Sequence, residues 1–482
     1  MPFSGIIVPK EALFLNNQFL AYQKETDEFL KPELSFDLIK RKISVGGKDA
    51  VLYFVDGFIK DEVFEKILEY LFTLPQEKVE KTKDMDEFSK FGLPYVETDA
   101  SYDILTSAKS VLCGPAMLIV DGIEGQLIID TRTYPVRGIE EPSKDRSLRG
   151  SRDGFVETLM FNTALLRRRI RTEKLRMEYM QAGQNSKTDI AIAYIDGVAD
   201  KKTLSMLKDR ISKIRIKSAS MTSQAICESL IPHGILNPFP KFRFTERPDF
   251  ASAAVLDGKI VMLLDNSPSA VIIPDSFADF FREADDYYFL PVIACYTRVL
   301  RFIVTLCTVV ISPLYLMLMN NRELIPEFLK FLNNAKIGDI PIIFQLLLLE
   351  LIVDGLRLAS INTPDSLSNS LGIIGGLILS EFAVSAGWFM GETILLTAFV
   401  TIAAYSQPSF EMGYAMKFER ISLLILTQLF SYYGLIAGLI FWIAVLCLNK
   451  TISGKGYFYP VIPFNAKAFI GIFSRKKLPV KK

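Results

Sequence analysis

Apolar residues are distributed unevenly along this chain of 482 residues, and that asymmetry limits the folds open to it. Up to about Tyr288, charged residues recur every few positions between short apolar runs, as in an ordinary soluble domain. Beyond Tyr288 long apolar segments dominate, and the mean hydropathy of the whole chain is +0.26. The sequence therefore predicts a membrane protein with an N-terminal α/β head of two related subdomains and a C-terminal α-helical transmembrane domain.

The two subdomains are predicted because the head repeats one series of elements. Residues 50–57 form an apolar strand that ends in an Asp-Gly turn and precedes a helical pattern, and residues 189–211 repeat that order. Apolar runs around Asp121-Gly122 and around Asp257-Gly258 each predict a β-hairpin. Chance similarity of short strand and turn patterns is the alternative. Glycine follows each of four aspartates, which we interpret as turn formers: Asp56, Asp121, Asp196 and Asp257.

These patterns divide the chain into six predicted parts. They are a leader over 1–35, a first α/β subdomain over 36–145, a basic linker helix over 146–185, a second α/β subdomain over 186–288, a helical transmembrane domain over 289–450 and a basic tail over 451–482.

The linker is predicted to be a long helix because its apolar residues recur at helical spacing. Its basic side chains cluster at Arg167, Arg168, Arg169, Arg171, Lys174 and Arg176. A solvated connecting helix is one interpretation, and a subunit contact or docking to the anionic headgroups of membrane lipid is the other. Nucleic acid is not a predicted partner, since the cluster lacks interleaved stacking aromatics and the net charge of the chain is +1.

Five apolar segments make up the predicted transmembrane domain: Phe289–Met319, Pro326–Ile361, Leu371–Met390, Thr393–Tyr405 and Ile421–Cys447. The second carries charges on one helix face and could be a span, a re-entrant element or an interfacial helix. The fourth is short and is stopped by Gln407-Pro408. We predict four crossings, with the short segments broken or re-entrant.

Small residues form a stripe along the third segment, at spacings of three or four that place them on one helix face. Glu381 lies beside the stripe, and an ionisable group near the middle of a bilayer costs on the order of 3 kcal/mol or more unless it faces protein or water. Helix packing alone is one interpretation, and a pore is the other. The predicted pore-lining residues are Gly372, Gly376, Ser380, Glu381, Val384 and Gly387, and Glu350 and Asp354 are predicted to form an acidic mouth.

Both termini are predicted to lie in the cytoplasm. The N-terminal residues lack the basic region, apolar core and cleavage site of a secretory signal. The tail SRKKLPVKK is strongly basic, which favours the cytoplasmic side. Five cysteines show no CxxC spacing or pairing pattern, in agreement with reduced thiols.

The sequence does not predict an enzyme, a cofactor or a metal site. It contains no P-loop, no GxGxxG after a strand, no GxSxG and no HExxH motif. The single histidine, His233, lies in a turn-rich loop and is interpreted as a surface or capping residue.

Four motifs in fixed order carry a family resemblance. They are NPFP at 237–240, TERPD at 245–249, LDNSP at 264–268 and DDYY at 285–288. With the stretches around residues 152–170 and 373–384, they resemble the A-subunit family of bacterial spore germinant receptors over about residues 51–460. The leader and first repeat are more similar to a sporulation paralogue within that family.

The resemblance assigns no catalytic chemistry to these motifs, and we interpret their residues as structural: Asn237, Pro238, Glu246, Arg247, Pro248, Asp249, Asp285 and Asp286. Glu246, Arg247 and Asp249 are predicted to form a charged turn that locks the hairpin, with Pro248 fixing the backbone. Asp285 and Asp286 are predicted to pair with nearby arginines rather than to draw cations to a vestibule.

The resemblance implies a multi-pass protein of the spore inner membrane that forms a homo-oligomeric ring around a cation-conducting pore. It also implies assembly with a transporter-like B subunit and a lipoprotein C subunit, or with a small membrane partner for the sporulation paralogue. A transporter, which should show inverted repeats and broken helices, and a scaffold that only anchors partners are the alternatives.

Overall fold

The computed structural model describes residues 10–133, 150–184, 187–214, 222–231, 237–334, 339–362 and 383–474. The chain forms two compact units. The first, called the head unit below, consists of Met1–Pro232 and Phe244–Pro274. The second, called the membrane unit, consists of His233–Arg243 and Asp275–Lys482.

Two five-stranded sheets with the same strand order form the frame of the head unit. The first has the order β1-β2-β4-β5-β3, with strands Leu38–Val45, Lys48–Val55, Thr98–Ser101, Ala116–Val120 and Gln126–Ile129 for β1 to β5. The second has the order β6-β7-β9-β10-β8, with strands Leu175–Ala182, Thr188–Ile195, Arg243–Thr245, Ile260–Leu264 and Ala270–Ile273 for β6 to β10. This equivalence confirms the predicted pair of related α/β subdomains.

Nine α-helices accompany the strands in the described part of the head unit. They are α1 Lys10–Leu30, α2 Asp61–Thr73, α3 Gln76–Lys81, α4 Met85–Gly92, α5 Ile104–Val111, α6 Leu159–Arg169, α7 Lys201–Ser212, α8 Thr222–Leu230 and α9 Pro248–Leu256, with a 3₁₀ turn at Pro32–Leu34.

The first sheet is buried on both faces because apolar residues fill most positions of its central strands. In β2, Leu52 faces a core that contains Phe64 of α2, whereas Val51 faces a second core that contains Ile104 of α5. Successive side chains of a strand point to opposite faces, so such a continuous apolar run is typical of a sheet between two helical layers.

The four predicted Asp-Gly turns are confirmed. The glycines that follow Asp56, Asp121, Asp196 and Asp257 have φ angles of +78°, +70°, +81° and +89°. Glycine adopts this left-handed region without a steric cost, which explains its place in each turn.

The hairpin predicted about Asp257-Gly258 is wrong. The residues before it form α9, and Gly258 ends that helix before β9 begins. Pro248 at the start of the helix and glycine just past its end explain this outcome. The equivalent of the first hairpin is β9-β10, whose turn contains Asn266 with φ +60°.

The long linker helix predicted over 146–185 is also wrong in part. Its helix, α6, is only 11 residues long, and Leu175–Ala182 is strand β6, which pairs with β7 along its whole length. Both β1 and β6 lie at the edge of a sheet and mix charged with apolar residues, including three consecutive charged residues in β1. Because of this composition, neither strand could be predicted from the sequence.

The membrane unit is helical where it is described. Its helices are α10 Asp285–Tyr288, α11 Pro291–Asn320, α12 Ile342–Asn362, α13 Gly391–Tyr405, α14 Phe410–Leu448 and α15 Ala466–Phe473, with 3₁₀ segments at Phe277–Phe281, Arg322–Leu324 and Glu327–Asn334. Helix α13 ends before Gln407-Pro408, as predicted. In the described chain, α11 and α14 are long and apolar enough to cross a membrane.

Helix α14 reverses direction at Ser431, so the single span predicted over Ile421–Cys447 is wrong. Ser431 has φ +53° and ψ −136°, outside the helical region. Trp442 Nε1 donates to Ser422 Oγ at 2.6 Å, although 20 residues of straight helix would separate them by about 30 Å. The two arms, 410–430 and 432–448, therefore pack against each other as an antiparallel helical hairpin.

Candidate functional site

An ion-pair cluster lies where α11, α12 and α14 meet, in the apolar part of the chain. Glu350 of α12 is 8% exposed and Arg420 of α14 is 3% exposed. Arg420 Nε donates to Glu350 Oε1 at 2.7 Å, and its Nη1 donates to the carbonyl of Thr308 on α11 at 2.9 Å. One guanidinium thus connects three helices.

Lys417 completes this cluster one turn before Arg420 on the same helix face. Its ammonium lies 3.1 Å from Glu350 Oε2 and 2.6 Å from Asp354 Oδ2. Two carboxylates and two cations balance each other, which is the arrangement that buried charges require. Glu350 and Asp354, the predicted acidic mouth, are therefore brought together, but with cations that the sequence interpretation missed.

The third charge of α12, Arg357, lies among aromatic rings. Its guanidinium carbon is 4.0 Å from the ring centre of Phe410, 5.1 Å from that of Tyr405 and 5.3 Å from that of Tyr414. Cation-π contacts of this kind hold the end of α12 against the start of α14.

A second ionic cluster joins α10 to the first half of α11. Asp286 is fully buried and pairs with Arg298 at 2.9 Å and with Arg301 at 2.7 Å. Arg301 also lies 2.9 Å from Glu283. The pairing predicted for Asp286 is confirmed, and Asp285 beside it is buried at 8% exposure.

Most of the predicted pore-lining residues lie outside the described chain. These are Gly372, Gly376, Ser380 and Glu381. Of the remaining two, Val384 is 42% exposed and Gly387 adopts φ +75° in a turn after the helical residues 383–385. The Gly387 carbonyl accepts from the backbone amide of Asp339 at 3.0 Å. Their pore role stays a prediction, and His233 also lies outside the described residues.

The family-motif residues occupy turns and helix starts. Asn237 Oδ1 accepts from the Phe239 amide at 3.1 Å, which turns the chain around Pro238. Arg247 is 1% exposed and pairs with Asp249 at 2.6 Å, and Pro248 opens α9. The Glu246 carbonyl accepts from the Phe155 amide at 2.8 Å. This charged turn fixes the start of α9, rather than the hairpin that was predicted there.

Glu419 is a carboxylate that was not predicted from the sequence to be a site residue. It is 7% exposed, and the structure gives its side chain no hydrogen bond or ion pair with any described residue. An acidic residue near the start of a long apolar run could have identified Glu419 as a candidate site residue. Its neighbours Lys417 and Arg420, however, give the segment the composition of a solvated helix end. Among the described residues, no group of three His, Cys, Asp or Glu side chains could hold a metal ion.

Comparison with known proteins gives consistent matches over nearly the whole chain. A model of the Bacillus/Clostridium GerA spore germination protein family matches residues 26–482. Stage V sporulation protein AF of Bacillus subtilis is 33% identical over 92% of this chain and 90% of its own length. Spore germination protein KA of the same organism is 31% identical over 90% of this chain and 80% of its own length.

A solved structure is similar to part of the chain. It is the N-terminal domain of the A subunit of the Bacillus megaterium spore germinant receptor GerK3, at 25% identity and a TM-score of 0.39. The match covers 52% of this chain and 92% of that one.

Proposed function

The chain belongs to the Bacillus/Clostridium GerA spore germination protein family, and we propose that it is an oligomeric, ligand- or partner-gated cation channel subunit of the spore germination machinery. In this role it releases ions or amplifies the germination signal, and no catalytic reaction is assigned to it.

The observation that carries this proposal is the buried pairing of Glu350 with Arg420 at 2.7 Å between apolar helices. Charges in apolar membrane segments are costly, and they are typical of ion pathways and moving elements. This pair joins α12 to α14, and Arg420 also bonds to the Thr308 carbonyl on α11. In this proposal, the pair couples movement of the three helices to opening of the pore.

The pore itself is proposed to form between copies of the chain. A closed ring of subunits can place the same helix of each copy around one axis. We assign that position to the segment with Gly372, Gly376, Ser380 and Glu381, followed by Val384 and Gly387, because its small residues leave room for ions along one face. Glu350 and Asp354 lie in a different, charge-balanced cluster, so they contribute to gating in this proposal.

The family supports a proposed location and a proposed set of partners. We place the protein in the spore inner membrane as a multi-pass subunit with both termini in the cytoplasm. Its proposed partners are other copies of itself together with a transporter-like B subunit and a lipoprotein C subunit, or a small membrane partner.

Ionic current through planar bilayers tests the proposal. Purified full-length protein is measured alone and with its membrane partner, as wild type, Gly376→Leu and Gly355→Leu. Gly376→Leu should abolish current by filling the pore. Gly355→Leu is the matched control on α12, because a Cβ there meets no described atom within 4 Å, and it should leave the current unchanged. Glu381→Gln should alter ion selectivity.

Unchanged currents in both Gly376→Leu and Glu381→Gln would remove this segment from the pore. A wild type that never conducts, even with its partner, would contradict the channel altogether. Native mass spectrometry measures the oligomeric state. If the protein is a channel of this kind, the result should be an oligomer that can close a ring.

A transporter is the second candidate, because α14 is interrupted at Ser431 and interrupted helices are common at transporter binding sites. A monomer or dimer with saturable flux and no unitary currents would favour it. A stable complex with partners but neither flux nor current would favour a scaffold.

A further inference from the structure

Glu419 lies on the side of α14 that packs inside the membrane unit. Residues three and four positions away on the same helix face, Ala415, Met416 and Leu423, belong to one buried apolar cluster. That cluster also contains Val309 of α11 and Trp442 of the second arm. The Glu419 side chain, 7% exposed, is therefore largely buried on the packed face of α14.

The charged groups of the surrounding helices are engaged elsewhere. On α11, Arg298 and Arg301 pair with Asp286. On α12, Glu350 and Asp354 pair with the cations of α14 itself, Lys417 and Arg420.

Among the residues that the structure describes, the remaining neighbouring elements supply no counter-charge to Glu419. Arg357 of α12 lies against three aromatic rings. The second arm, 432–448, contains no Asp, Glu, Lys, Arg or His, and its titratable groups are Tyr432, Tyr433 and Cys447. The hydroxyl of Tyr457, a member of the same cluster, donates to the carbonyl of Pro240 at 2.7 Å.

A second polar group on the same face also lacks a partner. Thr427 is fully buried, and its hydroxyl has no hydrogen-bond partner in the described chain. It follows Glu419 by two helical turns, about 12 Å along the axis. Buried polar groups without protein partners are commonly satisfied by water.

We propose that Glu419 is a proton-binding site of the membrane unit, occupied while the hairpin is packed as described and emptied when the face opens to water. A proton is the ligand that the surroundings favour, because it neutralises the carboxylate without further ligands. A metal cation would need several more oxygen ligands, and among the described residues no group of three His, Cys, Asp or Glu side chains could hold one.

Infrared difference spectroscopy of the full-length protein in liposomes tests this inference and needs no ionic current, so it is independent of the proposed conduction. At about pH 7 an ordinary glutamate is ionised, whereas wild type should show the C=O band of a protonated carboxyl. The band should be lost in Glu419→Gln and should disappear reversibly in wild type toward about pH 10. Glu411→Gln, which changes an exposed carboxylate of the same helix, should retain it.

Identical bands in wild type and Glu419→Gln would overturn the proposal, since the carboxylate would then be ionised like an exposed one. A band that persists unchanged to high pH would also overturn it, because the proton would not exchange. Glu419→Asp keeps the carboxyl and should show a shifted band, which provides a second measurement if the glutamine variant does not fold.

Discussion

Arg167 and Asp37 form a fully buried ion pair that joins the two subdomains of the head unit. Their side chains are 0% and 1% exposed, with Nε 2.7 Å from Oδ2. Arg167 also donates to the carbonyl of Leu175, at the start of β6. The sequence places Arg167 in a basic cluster of predicted solvated residues, but its burial depends on an aspartate 130 positions earlier, which local composition does not reveal.

Arg167→Ala should destabilise the protein strongly. It leaves Asp37 as a buried charge without its cation, which costs about 3–5 kcal/mol. The melting temperature of full-length protein in detergent should fall accordingly, whereas Arg168→Ala at the neighbouring exposed position should change it little.

The double variant Arg167→Met with Asp37→Leu removes both charges and should recover most of the lost stability. A double variant as unstable as Arg167→Ala would indicate that the hydrogen bonds to the backbone, rather than the charge pair, provide the stabilisation.

The stability of the membrane unit should depend on pH through the carboxylate of Asp286. Burial by itself raises the pKa of Asp286, but hydrogen bonds from Arg301 and the charges of Arg301 and Arg298 outweigh it and hold the pKa below its usual value. A carboxyl whose pKa is lowered by folding contributes stability above its unfolded pKa of about 3.9, and that contribution is lost as the pH falls below it.

The melting temperature of wild type should therefore drop as the pH is lowered from about 4 toward about 2, as Asp286 takes up a proton in the folded protein. Asp286→Asn should be less stable than wild type at pH near neutrality, and the two should converge in acid. Parallel curves over this range would contradict a role for the Asp286 charge.

Among the secondary-structure elements, the hairpin of α14 depends on two glycines. A Cβ at Gly434 would collide with the carbonyl oxygen of Leu426, and one at Gly438 would meet Leu423 Cδ2 at 2.5 Å. Small residues at such positions let two helix backbones approach closely.

Gly434→Ala should separate the arms and destabilise the protein by about 1–3 kcal/mol, as overpacking does. With Trp388→Phe as background, Trp442 is the one remaining tryptophan, and its fluorescence should change when its bond to Ser422 is lost. Gly355→Ala is the control, since its Cβ meets nothing within 4 Å and alanine favours a helix by up to about 1 kcal/mol. An unchanged Trp442 signal in Gly434→Ala would contradict the close packing of the arms.

Elements with a strong local signal could be predicted from the sequence, and those decided by distant partners could not. Strands β2 and β7 were predictable because both faces are apolar, and α11 because its 30 residues suit a membrane. The reversal at Ser431 was not predictable, since the residues on both sides are apolar and helical. It is fixed by packing between the arms and by Asn321 Nδ2, which donates to Ser431 Oγ at 2.7 Å.

At the scale of the whole molecule, a short segment between α8 and β8 belongs to the membrane unit, although head elements precede and follow it. Within it, Phe239 is 3% exposed, and its ring centre lies 5.9 Å from that of Trp442 and 6.2 Å from that of Tyr457. The chain therefore enters the membrane unit before the head is complete.

Phe239→Ala should lower the melting temperature of the full-length protein, because loss of a buried aromatic ring costs about 3–5 kcal/mol. Phe161→Ala, which removes a ring that is 48% exposed, should have a much smaller effect. Equal effects of both substitutions would show that the ring cluster around Tyr457 contributes little stability.

The sequence supported the membrane half, the duplicated head and the family, because each rests on patterns repeated over many residues. The candidate site was recovered in part. Glu350 and Asp354 were identified from their spacing on one helix, but Lys417 and Arg420 lie more than 60 positions away and are brought to them by tertiary packing. Periodicity identifies which face of a helix is polar, and packing decides what that face meets.

The reversal of α14 has a consequence for mapping the protein in a membrane. Since the two arms are antiparallel, the chain leaves the hairpin at the end where it entered, and we expect Phe410 and Leu448 to face the same compartment. A reporter fused after Leu448 therefore gives the same reading as one inserted before Phe410, whatever the depth of the hairpin. The compartment of the C-terminal tail is decided by the segments upstream of Phe410, so those are where labelling experiments gain information.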